Sequence, residues 1–127
     1  MEEAQQNQKK LLLFKEEMKK RTKDFAHKCV NVSREIKGSI LGLHIIKQLV
    51  RCSTSVAANY RASCIAQTIP SVVSKMSIVI EEADECMFWI EFALEEKLIS
   101  DEASLLINEA REISSILIKA RSTLKSK

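Results

Sequence analysis

Four cysteines, two histidines and a dense run of carboxylates are the side chains of this sequence with chemistry to offer. Cys29, Cys52, Cys64 and Cys86 stand 23, 12 and 22 residues apart. A zinc ribbon or a thioredoxin-like centre needs a C-x-x-C pair, so that one turn presents both sulfurs together, and none occurs. His27 and His44 lie in neither H-E-x-x-H nor E-x-x-H, the spacings that set ligands on one helix face for zinc or a di-iron centre. Reduced thiols packed in a core are the remaining reading. No metal and no other cofactor is expected, and the residues display no recognisable reaction, so the chain reads as a non-enzyme. Two glycines and one proline stand where average usage would give roughly nine and six. That scarcity excludes Gly-rich phosphate loops and turn-rich β architectures.

Charge is segregated along the chain. The whole carries 20 Lys and Arg against 17 Asp and Glu, a formal charge of +3. Between Glu81 and Glu96 there are seven acids and no base, whereas Lys9 to Lys28 holds eight bases and three acids. The acidic stretch would repel phosphate. The basic stretch, with Lys125 and Lys127 at the other terminus, could form an electrostatic footprint for RNA or DNA. Lys9, Lys10, Lys19, Lys20, Arg21, Lys23, Lys125 and Lys127 are the candidate contacts. The plain alternatives are a solvated helix face or a partner for the acidic stretch of a neighbouring copy. No apolar run reaches the roughly 18 residues of a membrane span, and Leu11–Phe14 is too short for a signal-peptide core. A cytoplasmic protein with no membrane partner is expected.

The elements that position these residues are helices. Leu11, Phe14, Met18, Phe25, Cys29, Val32 and Ile36 recur mostly three or four apart. This predicts one long helix, or two pieces joined near Arg21 and Thr22 with Thr22 as a cap. Gly38 and Gly42 mark the first connection. A second helix is expected over about 43–66 and a third over about 70–97, with Pro70 in its first turn. The third has a seam of Val73, Met76, Ile80, Ala83, Met87, Ile90 and Leu94, widened by Val72, Val79, Cys86 and Ala93. A fourth helix opens at Ser100 or Asp101 as the capping residue. The fold is expected to be all-α, an antiparallel up-down four-helix bundle. Residues 1–21 read as a polar, basic, partly helical extension and 22–127 as the bundle domain.

Two faces are left over once the core is assigned. Opposite its seam, the third helix carries Ile78, Phe88, Trp89 and Phe92 among glutamates, a cluster that a subunit contact or the first helix of the same chain must cover. On the second helix, Arg51, Ser55, Ala58 and Ala62, with Gln48 and Asn59 beside them, make a small polar face. There Arg51 could bond to Glu82 or Glu85. A structural polar network is the reading, since no nucleophile–base pair accompanies it.

These residues also carry a resemblance. The stretch Gln48-Leu-Val-Arg51-Cys-Ser-Thr-Ser55-Val-Ala-Ala-Asn59-Tyr-Arg61 resembles a signature, approximately QLxRSxTSxxANxxEA, of four-helix bundle proteins related to those encoded in intervening sequences of bacterial large-subunit ribosomal RNA. Glu82 to Phe92 is similar to that family's EAxExxxWxE stretch. The likeness covers roughly residues 22–125. It implies a bundle that assembles into a homopentamer and has no known enzymatic activity. It also implies a motif surface, a subunit interface or polar network, at Gln48, Arg51, Ser55, Asn59, Arg61, Glu82, Glu85, Trp89 and Phe92. Family relatives include the accessory variability proteins of diversity-generating retroelements, which bind nucleic acid and a reverse transcriptase. Ala62 departs from the family's Glu and Ala57 from its Gly or Pro, and the acidic third helix departs from a uniformly basic surface. The functional expectation is a non-enzymatic oligomer, with RNA contact through the basic terminal segments. The alternative is a scaffold or accessory subunit, for example to a reverse transcriptase, without direct nucleic-acid binding.

Overall fold

The computed structural model describes residues 1–127 and is an all-α four-helix bundle. Helix α1 spans Glu2–Ser33, α2 Ile40–Ile65, α3 Ile69–Glu95 and α4 Ser104–Lys125, with a single 3₁₀ turn, Asp101–Ala103, leading into α4. Short connections make each helix antiparallel to the one before it. The helices pack in chain order, and α1 meets α4 only sparsely.

α1 is one uninterrupted helix, and Thr22 does not cap a second piece. Thr22 is buried in mid-helix, where its hydroxyl donates back to the Met18 carbonyl at 2.8 Å. Back-bonding of this kind satisfies a buried hydroxyl inside a helix. Met18 is itself in the core, so the bundle reaches upstream of a division at residues 21 and 22. Residues 1–13 are exposed throughout.

The first connection is shorter than the glycines suggest. Ser39 caps α2, its hydroxyl accepting from the Gly42 N–H at 2.9 Å, so Gly42 lies within the first turn of α2. It is needed there for close approach. A Cβ at Gly42 would collide with the Lys37 carbonyl oxygen and come within 3.0 Å of the Ile36 side chain, which is buried. At the next connection Thr68 caps α3 by accepting from the Ser71 N–H at 3.2 Å, with Pro70 in the first turn. The end of α3 is a Schellman turn. The Leu98 N–H reaches the Ala93 carbonyl, the Lys97 N–H reaches that of Leu94, and Lys97 takes φ 59°, a position that glycine usually fills. Ser100 caps nothing with its hydroxyl. Its N–H instead takes Glu35 as acceptor at 3.3 Å, tying the α3–α4 loop to the α1–α2 connection.

The core is aliphatic, with Phe25 and Tyr60 the two large rings inside it. Burying each Ile or Leu contributes about 2 kcal/mol. On α3 the fully enclosed line is Met76, Val79, Ala83, Cys86, Ile90 and Ala93, while Ile80, Met87 and Leu94 are half-buried. Relative to the expected seam the helix is turned by roughly 50°, half of one residue's step. The small side chains of Ala83, Cys86 and Ala93 sit deepest, and the bulkier ones fill the flank. Cys29, Cys52 and Cys86 are all inaccessible to solvent. The Cys86 thiol donates to the Cys52 sulfur across 3.1 Å, and Cys29 is buried in the same core beside them. The first three helices therefore share one level at their thiols.

Two substitutions test this geometry in opposite directions. Gly42→Ala is expected to lower the unfolding free energy by about 2 kcal/mol through overpacking. Lys97→Gly is expected to raise it by about 1 kcal/mol through relief of the left-handed backbone. Urea midpoints at unchanged m-value measure both.

Candidate functional site

The motif residues of α2 and α3 meet at Arg51. Its Nη1 donates to Glu82 Oε2 at 3.0 Å, its Nη2 pairs with Glu85, and its Nε lies 3.4 Å from Gln48 Oε1. Arg51 is half exposed, so the network orients α2 against α3 more than it stabilises them, since such pairs contribute under about 1 kcal/mol. Asn59 and Ser55 stay apart from it. The Asn59 amide donates to the Ser55 hydroxyl at 2.9 Å and to the Ser55 carbonyl, a local bond within one helix.

The aromatic cluster differs from expectation in the same sense as the seam. Trp89 and Phe92 do not point away from the core. They are half-buried and pack against it, with His44 of α2 edge-on to Trp89 at 5.3 Å and the Trp89 Nε1 enclosed. Ile78 is half-buried as well. Phe88 alone is open, 52% exposed, against Trp89 at 4.9 Å. It centres a stripe of exposed side chains, Glu81, Asp84, Phe88, Glu91 and Glu95, that repeats at three- and four-residue steps along the outside of α3.

A basic groove of about 940 Å³ runs between α1 and α2. Lys19, Lys20, Lys23, His27 and Arg34 line its α1 wall, Arg61 reaches in from α2, and Ala57, Ala58 and Thr54 form a low floor. Glu16 is the one acid on the lining, and it already pairs with Lys19 at 2.8 Å. Arg61, a motif residue, therefore belongs to this groove and not to the Arg51 network. His27 and Arg34 are additions to the expected basic set. Their signal in the sequence is the three-four repeat Lys20, Lys23, His27, Val30, Arg34.

Arg21 leaves the candidate nucleic-acid set. It faces α4, where Nε and Nη2 hold Glu109 in a fork at 2.8 and 2.7 Å and Nη2 also reaches Glu112 at 3.0 Å. Hydrogen bonding to Glu109, opposed by partial burial, holds its guanidinium above the usual arginine range. Lys9, Lys10, Lys125 and Lys127 are exposed. The antiparallel order places the start of α1 and the end of α4 at the same end of the bundle.

The thiols form no metal site, and no group of His, Cys, Asp and Glu side chains is placed to hold an ion. Hydrogen bonds with Cys29 and Cys52, reinforced by burial, push the Cys86 thiol far up, while donation from Cys86 draws Cys52 down. No helix is long and apolar enough to cross a membrane.

Residues 15–119 match the 23S rRNA-intervening sequence protein family, a span that contains both motif stretches. Among solved structures, a protein of unknown function from the S23 ribosomal protein family of Bacteroides thetaiotaomicron VPI-5482 is similar at TM-score 0.76. It shares 26% identity over 85% of this chain and 97% of that one. No curated protein matches.

Arg21→Ala is expected to cost about 1 kcal/mol, because it removes a bidentate pair at the sparse α1–α4 contact. Urea melts measure the loss, and amide exchange in α1 should quicken with it. The thiols give a second check. In the native protein Cys64 alone, which is partly exposed, should react promptly with an aromatic disulfide reagent. The other three should react only on unfolding.

Proposed function

This chain belongs to the 23S rRNA-intervening sequence protein family, and on that premise we propose that it is a non-enzymatic protein that works by self-assembly. The observation that carries this reading is Phe88, half exposed at the centre of an α3 face that no other helix of the chain covers. A large ring held open to water in a chain this poor in aromatics favours a protein contact. The resemblance to homopentameric relatives sets the expected copy number at five.

The exposed lysines at the bundle's end favour a second layer to this function. Lys9, Lys10, Lys125 and Lys127 are unencumbered by ion pairs. In a closed ring the same end of every subunit lies on one rim, so weak phosphate contacts add through multivalency. RNA backbone is the polyanion this reading proposes. The competing role is a protein scaffold or accessory subunit, for which a nuclease-insensitive protein partner would be the mark.

Light scattering of the purified protein should give a mass near five times 14.4 kDa; a stable 14.4 kDa species would contradict assembly. Fluorescence anisotropy with a structured RNA should show affinity falling steeply with salt. Reversing both Lys9 and Lys10 to Glu should reduce the slope of log affinity against log salt by about 2 for each subunit that contacts the RNA. Absence of binding at low salt would contradict the RNA contact.

A further inference from the structure

The acidic stripe of α3 and the basic groove between α1 and α2 are complementary in charge, in spacing and in height. On α3 the exposed order is acid, acid, phenyl, acid at Glu81, Asp84, Phe88 and Glu91. On the α1 wall of the groove the order is base, imidazole, isopropyl, base at Lys23, His27, Val30 and Arg34. The α3 row steps by three, four and three residues and the α1 row by four, three and four, each as neighbours on one helix face must. The groove floor beside Lys23 is Ala57 and Ala58, small enough for a helix from outside to come close.

Height settles the register. α1 and α3, as alternate helices of the bundle, run in the same direction, and Cys29 and Cys86, fully buried as neighbours in one core, set their relative slide. A residue of α3 therefore lies level with the α1 residue numbered 57 lower. Asp84 is level with His27 and Glu91 with Arg34. Glu81 and Phe88 fall within one residue of Lys23 and Val30. Rotation about an axis parallel to the bundle preserves height, so neighbouring copies in a ring would present these rows to each other without any axial shift.

We propose that the outer stripe of α3 from one copy docks in the α1–α2 groove of the next, with Phe88 against Val30 and with Glu81, Asp84 and Glu91 facing Lys23, His27 and Arg34. The contact is heterologous, because two different surfaces meet, and repeating it closes a ring when the rotation divides a full turn. Charge complementarity sets the register, and Phe88 is the desolvated anchor. The occupant of the groove is thus a second copy of this chain, and the polyanion contact is left to the bundle's end. This inference rests on the self-assembly reading and names its surface.

Charge reversal tests it. Lys23→Glu and Glu81→Lys should each weaken assembly at least tenfold in analytical ultracentrifugation, and the double variant should return to within about threefold of the original chain. Phe88→Asp should dissociate the assembly with helical circular dichroism retained, since all three positions are exposed on their helices. An assembly indifferent to all four variants, or a double variant no better than the singles, overturns this surface and leaves self-assembly standing. An original chain that is monomeric at every concentration overturns both.

Discussion

The bond between the Cys86 and Cys52 thiols, with Cys29 buried beside them in the same core, constrains how the first three helices are turned and how far they have slid past one another. Cys29, Cys52 and Cys86 are shut off from solvent, and the 3.1 Å approach of two of them sets a tight spacing between α2 and α3. Closely packed interiors do not deform smoothly, so this level constrains the rest. With Cys86 innermost, Trp89 and Phe92 fall toward α2, Glu82 and Glu85 come within reach of Arg51, and Phe88 is left facing water.

The charge pattern follows from the same rotation. α3 divides its carboxylates between two tasks. Glu82 and Glu85 are used up by Arg51 inside the chain, while Glu81, Asp84, Glu91 and Glu95 have no cation of their own. α1 divides its bases likewise. Arg21 is spent on α4, and Lys20, Lys23 and Arg34 remain on the groove. A molecule with one acidic stripe and one basic groove on different helices has the polarity that head-to-tail association requires. If the groove is taken by a neighbouring copy, the proposed phosphate contact falls to the four lysines at the bundle's end.

The helices and the bundle were legible because the three-four periodicity in this chain is strong and glycine and proline are nearly absent. The family was legible in the Gln48–Arg61 and Glu82–Phe92 stretches. Periodicity could not choose between two seams of α3 that share Met76, Ala83 and Ile90 and differ by half a residue's step. That choice depended on which small residues could sit deepest. The same blindness placed Trp89 and Phe92 outside with Phe88. Arg21 read as a free base because its carboxylate partners lie 88 and 91 residues away on another helix. Gly42 read as a connection residue because its use, room for the Lys37 carbonyl, is a contact and not a backbone conformation.

The central claim is that the chain assembles by laying α3 of one copy into the α1–α2 groove of the next. Zero-length carbodiimide coupling reports it most directly, because only a lysine and a carboxylate in contact are joined. In an equal mixture of ¹⁴N- and ¹⁵N-labelled chains, mass spectrometry should find Lys23 joined to Glu81 in peptides that carry one label on each half. Couplings confined to partners within one chain, such as Lys19 with Glu16, in a protein that scatters light as an oligomer would contradict it.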